Sequence, residues 1–424
     1  MNFRQTVKLS HFEGGLYALM VASTESFLFY YAVRQNVTAF ELAILTTVPL
    51  FLGALAQFFI PKLVSEKHLG AGIVWAILVQ IMGVCGILYN VAVQFSYPSM
   101  LLFTCVHFIG GLLTNPLWID WAARIIPKRN FRKYMAGRSS YTWYLILFFY
   151  LSMALLAQYT DWFKLVYIFA IGAVARLCSL GLQTLIIRGE FSSQLKAEAI
   201  AKSKDQENIQ HHEMPKDLKE YIRTFIVWTA IFKFGTNVCS PFFVPYMLDD
   251  LKLSMLHYVI LSSIPFFGRA LFFNRWGKAG KSYAAFFGIQ LTMLYIAFTP
   301  LVWIMTRSYF ALIFLEVISG IAWGGYELNQ VLMIQNFVDN SMKEGSRVLL
   351  GIHMALSNFF GVLGAITGAL LLEMKFTFYE VFWVSSGLRF FLAFVLIYKA
   401  SSMRKSDFTA KHFRTYIRNL LPHA

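Results

Sequence analysis

Charge is what this sequence has least of. Only 14% of its 424 residues are Asp, Glu, Lys or Arg, where a soluble globular chain carries about 25%. Acids are scarcest, 22 against 37 basic residues. With 58% hydrophobic content and a mean hydropathy of +0.57, so little charge excludes an ordinary water-soluble domain. Cysteine is also rare. Cys85, Cys105, Cys178 and Cys239 each lie inside an apolar run with no CxxC pair, so neither a disulfide framework nor a metal site is expected. A concentrated basic block is missing too: the net charge of +15 is dispersed in short segments between apolar runs, which argues against nucleic acid as a partner. The chain starts with Arg4 and Lys8 before an apolar stretch, but that stretch holds Glu25 and no small-residue cleavage site closes it. It reads as a first membrane helix rather than a removed leader.

What the sequence has in plenty is long apolar runs. A bilayer is crossed by about 20 apolar residues in a helix, and twelve such runs are read at 12–33, 40–61, 71–93, 99–124, 139–159, 163–187, 221–247, 253–274, 282–305, 309–337, 348–373 and 377–399. An even number of crossings puts both termini on one side, and short loops rich in Lys and Arg stay in the cytosol. Arg124, Lys128, Arg129, Arg132, Lys133 and Arg138 follow the fourth run; Arg275, Lys278 and Lys281 follow the eighth. The alternate loops carry only Arg34, Lys164, Lys252, Arg307 and Lys375. Both termini are therefore expected in the cytosol, with the chain multi-pass in the plasma membrane, or the inner membrane of a bacterium.

One long polar stretch, Gly189 to Lys219, separates six runs from six and reads as a linker between halves. Transporter folds commonly contain internal repeats. Ile44-Leu45-Thr46-Thr47-Val48-Pro49-Leu50-Phe51 matches Ile260-Leu261-Ser262-Ser263-Ile264-Pro265-Phe266-Phe267 position for position. Gly111 and Gly320, Asp120 and Asn329, and Arg138 and Arg347 all stand 209 residues apart, and Arg176 and Arg389 stand 213 apart. Because each half has an even number of crossings, the repeat is parallel. The expected fold is all-α integral membrane, twelve transmembrane helices in two parallel six-helix halves: 1–188, a linker at 189–219, 220–400, and a tail at 401–424. In the tail Phe413, Tyr416, Ile417, Leu420 and Leu421 alternate with Lys411, Arg414 and Arg418, the spacing of an amphipathic helix on the cytosolic leaflet; a disordered basic end is the alternative.

Six plus six helices, cytosolic termini, a central cytosolic linker and parallel halves resemble the major facilitator superfamily over about the whole chain. The family's Gly-xxx-Asp-Arg-like turn between helices two and three is degenerate here, reading Pro61-Lys62-Leu63-Val64-Ser65-Glu66-Lys67, with Asn274-Arg275-Trp276-Gly277-Lys278 after helix eight. No subfamily is assigned. The resemblance implies that helices one, four, seven and ten line a central cavity.

Ionisable groups at membrane depth are costly and mark function or helix pairing. Glu25 and Lys233 sit near the middle of runs one and seven, 208 residues apart, and so at nearly equivalent depths. They are read either as a solute or proton site or as a structural ion pair. Glu327 and Asn329 in run ten, after Gly324-Gly325, and Asn115 beside Pro116 in run four join the candidate solute or proton site, with helix packing the alternative for Glu327. Asp120 and Arg124, four apart on one face, read as a cytosolic gate or a local pair, and Arg269 and His353 as part of that gate or as side chains reaching for water. Glu316 lies nearer the outer surface. Arg176 and Arg389 are expected to be structural.

Other patterns are set aside. Gly277-Lys278-Ala279-Gly280-Lys281-Ser282 lacks the first glycine and the preceding strand of a phosphate loop. His211-His212-Glu213 has no further ligands at metal spacing. Asn36-Val37-Thr38 is a weak glycosylation match, and Tyr141, Trp143, Tyr144, Phe148, Phe149 and Tyr150 fit lipid-facing packing or an aromatic pocket. The expected function is secondary active transport of a small-molecule solute by alternating access, with protons as the candidate coupling ion, no cofactor, and a functional monomer in the lipid bilayer. A membrane-embedded enzyme would need a converging nucleophile, base or metal set, and none is read. A sensor or scaffold that keeps the fold is the alternative.

Overall fold

A computed structural model describes residues 3–64, 68–126, 128–159, 164–191, 216–279, 284–339 and 345–403. The linker and tail expectations thus lie almost wholly outside the described residues. Every regular element within them is helical. Helix α1 runs Phe3–Met20, widens to a π-helical turn at Val21–Glu25 and continues over Ser26–Arg34. Then follow α2 (Ala39–Leu63), α3 (Leu69–Ala92), α4 (Tyr97–Ile125), α5 (Lys128–Tyr159) and α6 (Leu165–Phe191). Helix α7 (Lys216–Asn237) breaks at Val238 and continues irregularly to a second π turn at Tyr246–Asp250. The rest are α8 (Met255–Ala279), α9 (Ala284–Met305), α10 (Tyr309–Asp339), α11 (Gly345–Glu373) and α12 (Phe378–Met403).

Eleven of these helices are long and apolar enough to cross a membrane. Helix α7 is not among them, because Lys216, Asp217, Lys219, Glu220, Arg223 and Lys233 load its length with charge. Phe148, Phe298, Phe314, Phe391 and Phe394 are exposed on the outside of the bundle, an arrangement that suits lipid and not water. The chain is a multi-pass membrane protein.

The links at one end are short and sharply turned, with Asn36, Lys252 and Lys375 in the left-handed region. Two of the helices that follow start with reciprocal caps. Thr38 N–H donates to Glu41 Oε2 at 2.8 Å while Glu41 N–H donates to Thr38 Oγ1, and Thr377 with Glu380 repeats the pattern. This end, opposite Phe3, is called distal and the other proximal.

Helix pairing has a period of six. The principal pairs α1·α5, α1·α6, α2·α4, α3·α4 and α3·α6 recur as α7·α11, α7·α12, α8·α10, α9·α10 and α9·α12. The two sets meet through α2·α11 and α5·α8. Packing between lipid-exposed helices relies on close backbone approach: a Cβ on Gly320 would overlap the Pro265 backbone, and one on Gly268 the Val317 carbonyl.

The buried core is divided unequally along the bundle. At the distal end one cluster joins Phe27, Tyr30, Met100 and Tyr150 to Phe242, Tyr246, Tyr258, Trp303 and Phe382, drawing on both sets of helices. At the proximal end the clusters are separate: Leu69, Ile73, Ile77, Trp118 and Ile186 form one, and Phe225, Phe232, Met293, Tyr326 and Leu396 another. Among the described residues, one buried hydrophobic cluster joins the two sets at the distal end, and none does at the proximal end.

Candidate functional site

Glu25 closes the π turn of α1, where the Ser26 N–H reaches back five residues to the Val21 carbonyl. Such turns put one extra residue into a helix and are frequent at functional sites. The turn seats Ser23 and Thr24 against α6, where a Cβ on Gly172 would overlap both hydroxyls. Across from Glu25 stands His107 of α4. Its Nε2–H donates to Glu25 Oε1 at 3.0 Å, with His107 fully buried and the Glu25 side chain 25% exposed. His107 Nδ1 is buried and has no hydrogen-bond partner. The histidine is fixed from behind, because a Cβ on Gly83 would overlap the His107 backbone.

A second acid in α1 is buried nearer the proximal end. Glu13 accepts from Arg138 Nη2 on Oε2 at 2.8 Å and from Ser179 Oγ on Oε1 at 2.9 Å, and Arg176 Nη1 lies 3.7 Å from that same Oε1. Arg138 also lies over the Trp118 ring at 3.9 Å. Arg389, by contrast, donates to the carbonyls of Thr236 at 2.7 Å, Ile296 at 3.0 Å and Gly235 at 3.4 Å, and lies 3.0 Å from Cys239 Sγ. It caps the point where α7 breaks.

The remaining interior charges gather on α10. Trp323 and Glu327 are four residues apart and share a face. The Lys233 ammonium of α7 lies over the Trp323 ring at 4.9 Å. Arg269 of α8 bonds Glu327 through Nη2 at 3.2 Å and lies over Trp143 of α5 at 5.0 Å. Its approach uses the absence of a side chain at Gly324, where a Cβ would be 3.3 Å from Arg269 Cγ. Trp143 in turn stacks on Phe266 at 5.5 Å and 14°. The charges acting most strongly on Lys233 are those of Glu327, Arg269 and Arg389.

The structure thus redistributes the sequence candidates. Glu25 and Lys233 do not pair: Glu25 bonds His107, and Lys233 has the Trp323 ring. Arg269, expected at the gate, is bonded to Glu327, expected at the solute site. Asn329 is fully buried and turned back on its own helix, donating to the Gly325 carbonyl at 2.8 Å. Asn115 is exposed on α4. His353 is buried against Phe225; Thr229 spends its hydroxyl proton on the Phe225 carbonyl, so His353 Nε2–H donates to Thr229 Oγ1 at 3.0 Å. Asp120 lies on α4 as expected, while the Arg124 side chain lies outside the described residues, as does Arg347. Glu316 is buried and accepts from Trp303 Nε1 at 2.8 Å. At the distal surface Arg307 donates to the Tyr379 hydroxyl at 2.8 Å, which donates to Asp250 at 3.3 Å, beside a cavity of ≈ 110 Å³.

This helix order and pairing match solved structures along nearly the whole chain. The nucleoside transporter NupG superposes with a TM-score of 0.66 at 14% identity, covering 95% of this chain and 100% of that one. The xylose transporter XylE from E. coli, titled as partially occluded inward open, gives 0.63 at 13% identity, covering 94% and 97%. The human organic anion transporter MFSD10 gives 0.64 at 10% identity, covering 93% and 100%. The fold is that of the major facilitator superfamily. No protein-family model and no curated protein matches the sequence, so the shared property is the fold.

Within this major facilitator fold, sequence reasoning missed His107, Glu13, Trp143 and Trp323. A lone histidine or acid deep in an apolar run carries the same cost signal that marked Glu25. Trp143 had no such signal. It is picked out of its aromatic run only by helix rotation, which leaves Tyr141, Tyr144 and Phe148 exposed.

Proposed function

We propose that the protein is a secondary transporter that moves a small organic solute by alternating access, with protons as the coupling ion. Its two parallel halves are α1–α6 and α7–α12, with α7 as the twelfth crossing and both termini in the cytosol. The observation that carries the reading is the unequal core. One hydrophobic cluster holds the halves together distally, while the proximal cores are separate among the described residues. Repacking of the distal contacts and closure of proximal ones would carry the interior charges from facing one side of the membrane to facing the other. The period of six in helix pairing supports the two halves.

Proton coupling rests on Glu25 and His107. The pair is a carboxylate bonded to a buried imidazole whose other nitrogen has no partner among the described residues. The test is solute accumulation in proteoliposomes with and without an imposed pH gradient. Gradient-driven accumulation should be lost in Glu25→Gln, which keeps the shape and removes the titratable charge. Unchanged accumulation in Glu25→Gln would sink proton coupling through this pair; a protein that passes no solute of any class would be a sensor or scaffold.

A further inference from the structure

On the α7–α8–α10 side two cations, Lys233 and Arg269, stand by the single carboxylate of Glu327, and that excess names a class of solute. The Arg269–Glu327 bond uses one nitrogen of the guanidinium at 3.2 Å, and Arg269 Nε has no partner. The Lys233 ammonium has an aromatic face and no hydrogen-bond acceptor among the described residues. The Glu327 side chain is 45% exposed. Trp323 and Trp143 flank the two cations, one from each set of helices. Unspent donors on two cations, set beside Trp323 and Glu327 one turn apart on α10 and walled by indole rings, suit an acid group borne on a flat apolar body.

Resting on the transporter reading above, we propose that the solute is an organic anion, held by Lys233 and Arg269 through its carboxylate, sulfonate or phosphate group.

The full-length protein in nanodiscs is melted with benzoate, benzenesulfonate and phenyl phosphate as anionic probes, uridine and xylose as neutral ones, and phenyltrimethylammonium as a cation. Anions should raise the melting temperature and the others should not. The shift should vanish in Arg269→Gln and Lys233→Gln, persist in Arg269→Lys, and persist or grow in Glu327→Gln, which removes the internal competitor. In proteoliposomes, the anion that binds should be taken up by the wild-type protein. Stabilisation by neutral or cationic probes alone, by no probe, or by anions in both Gln variants overturns the anion site and leaves the transporter reading standing. Anion binding without flux overturns the transporter reading and leaves the site.

Discussion

Arg176 and Arg389 occupy matching places in α6 and α12, and both are 2% exposed, yet they are neutralised by different chemistry. Arg176 has a carboxylate, Glu13, and the Ser179 hydroxyl beside it. Arg389 has backbone carbonyls of α7 and α9. The difference traces to α7: its break at Val238 frees carbonyls that an unbroken helix would have spent on its own amides, whereas α1 passes the equivalent depth with a π turn that keeps its ladder closed. The repeat preserves where a buried cation stands and leaves open what answers it. The same divergence separates a Glu25–His107 pair on one side from a Lys233–Glu327–Arg269 group on the other.

The sharpest way to break this comparison is to remove the carboxylate. Glu13→Ala leaves Arg138 and Arg176 facing each other without an anion, and removing one member of a buried charged group costs about 3–5 kcal/mol. Thermal unfolding in detergent should show a large loss, and Glu13→Ala melting like the parent would mean that Arg176 does not depend on Glu13. A smaller effect distinguishes contact from equal depth. A double-mutant cycle on Glu25 and His107 should give a coupling of about 1–3 kcal/mol, and one on Glu25 and Lys233 should be additive within about 0.5 kcal/mol. A strong Glu25–Lys233 term would place those side chains together. The weakest link to test is the bridge between the two sets: Trp143→Leu removes a cation–π contact worth about 0.5–1 kcal/mol and should speed the change between inward and outward states, read as solute exchange rate, more than it alters stability.

Much of the architecture was legible in hydropathy, and the departures have physical causes. Run 139–159 is the apolar part of a helix that begins at Lys128, because hydropathy marks the lipid slab while the backbone ladder continues into the basic segment. Run 221–247 contains a helix end at Asn237 that no apolar pattern reveals. Glu25 was legible as a charge that must have a purpose. Its partner was not, since internal symmetry gave Lys233 the same depth, and depth is one coordinate of three. Which residue it meets depends on the rotation of α1, set by the π turn, and on how closely α4 can approach α3, set by Gly83 against His107. Arg269 was placed at the gate from its position along α8; that it swings toward Glu327 depends on the bare backbone at Gly324.

The π turn of α1 has a consequence for how this chain can vary. A residue added to one turn divides α1 into two phases, so that Phe3–Met20 and Ser26–Arg34 face their neighbours in different registers. The turn absorbs that residue, because the bond from Ser26 back to Val21 spans five residues where an ordinary turn spans four. Losing Ala22 or Ser23 would close an ordinary turn and leave Tyr30 by Tyr258, 5.3 Å distant, and Tyr31 by Phe169, at 6.2 Å. The same loss elsewhere in α1 would rotate everything beyond it by about 100°, so this segment should tolerate a lost residue better than the rest of the first helix.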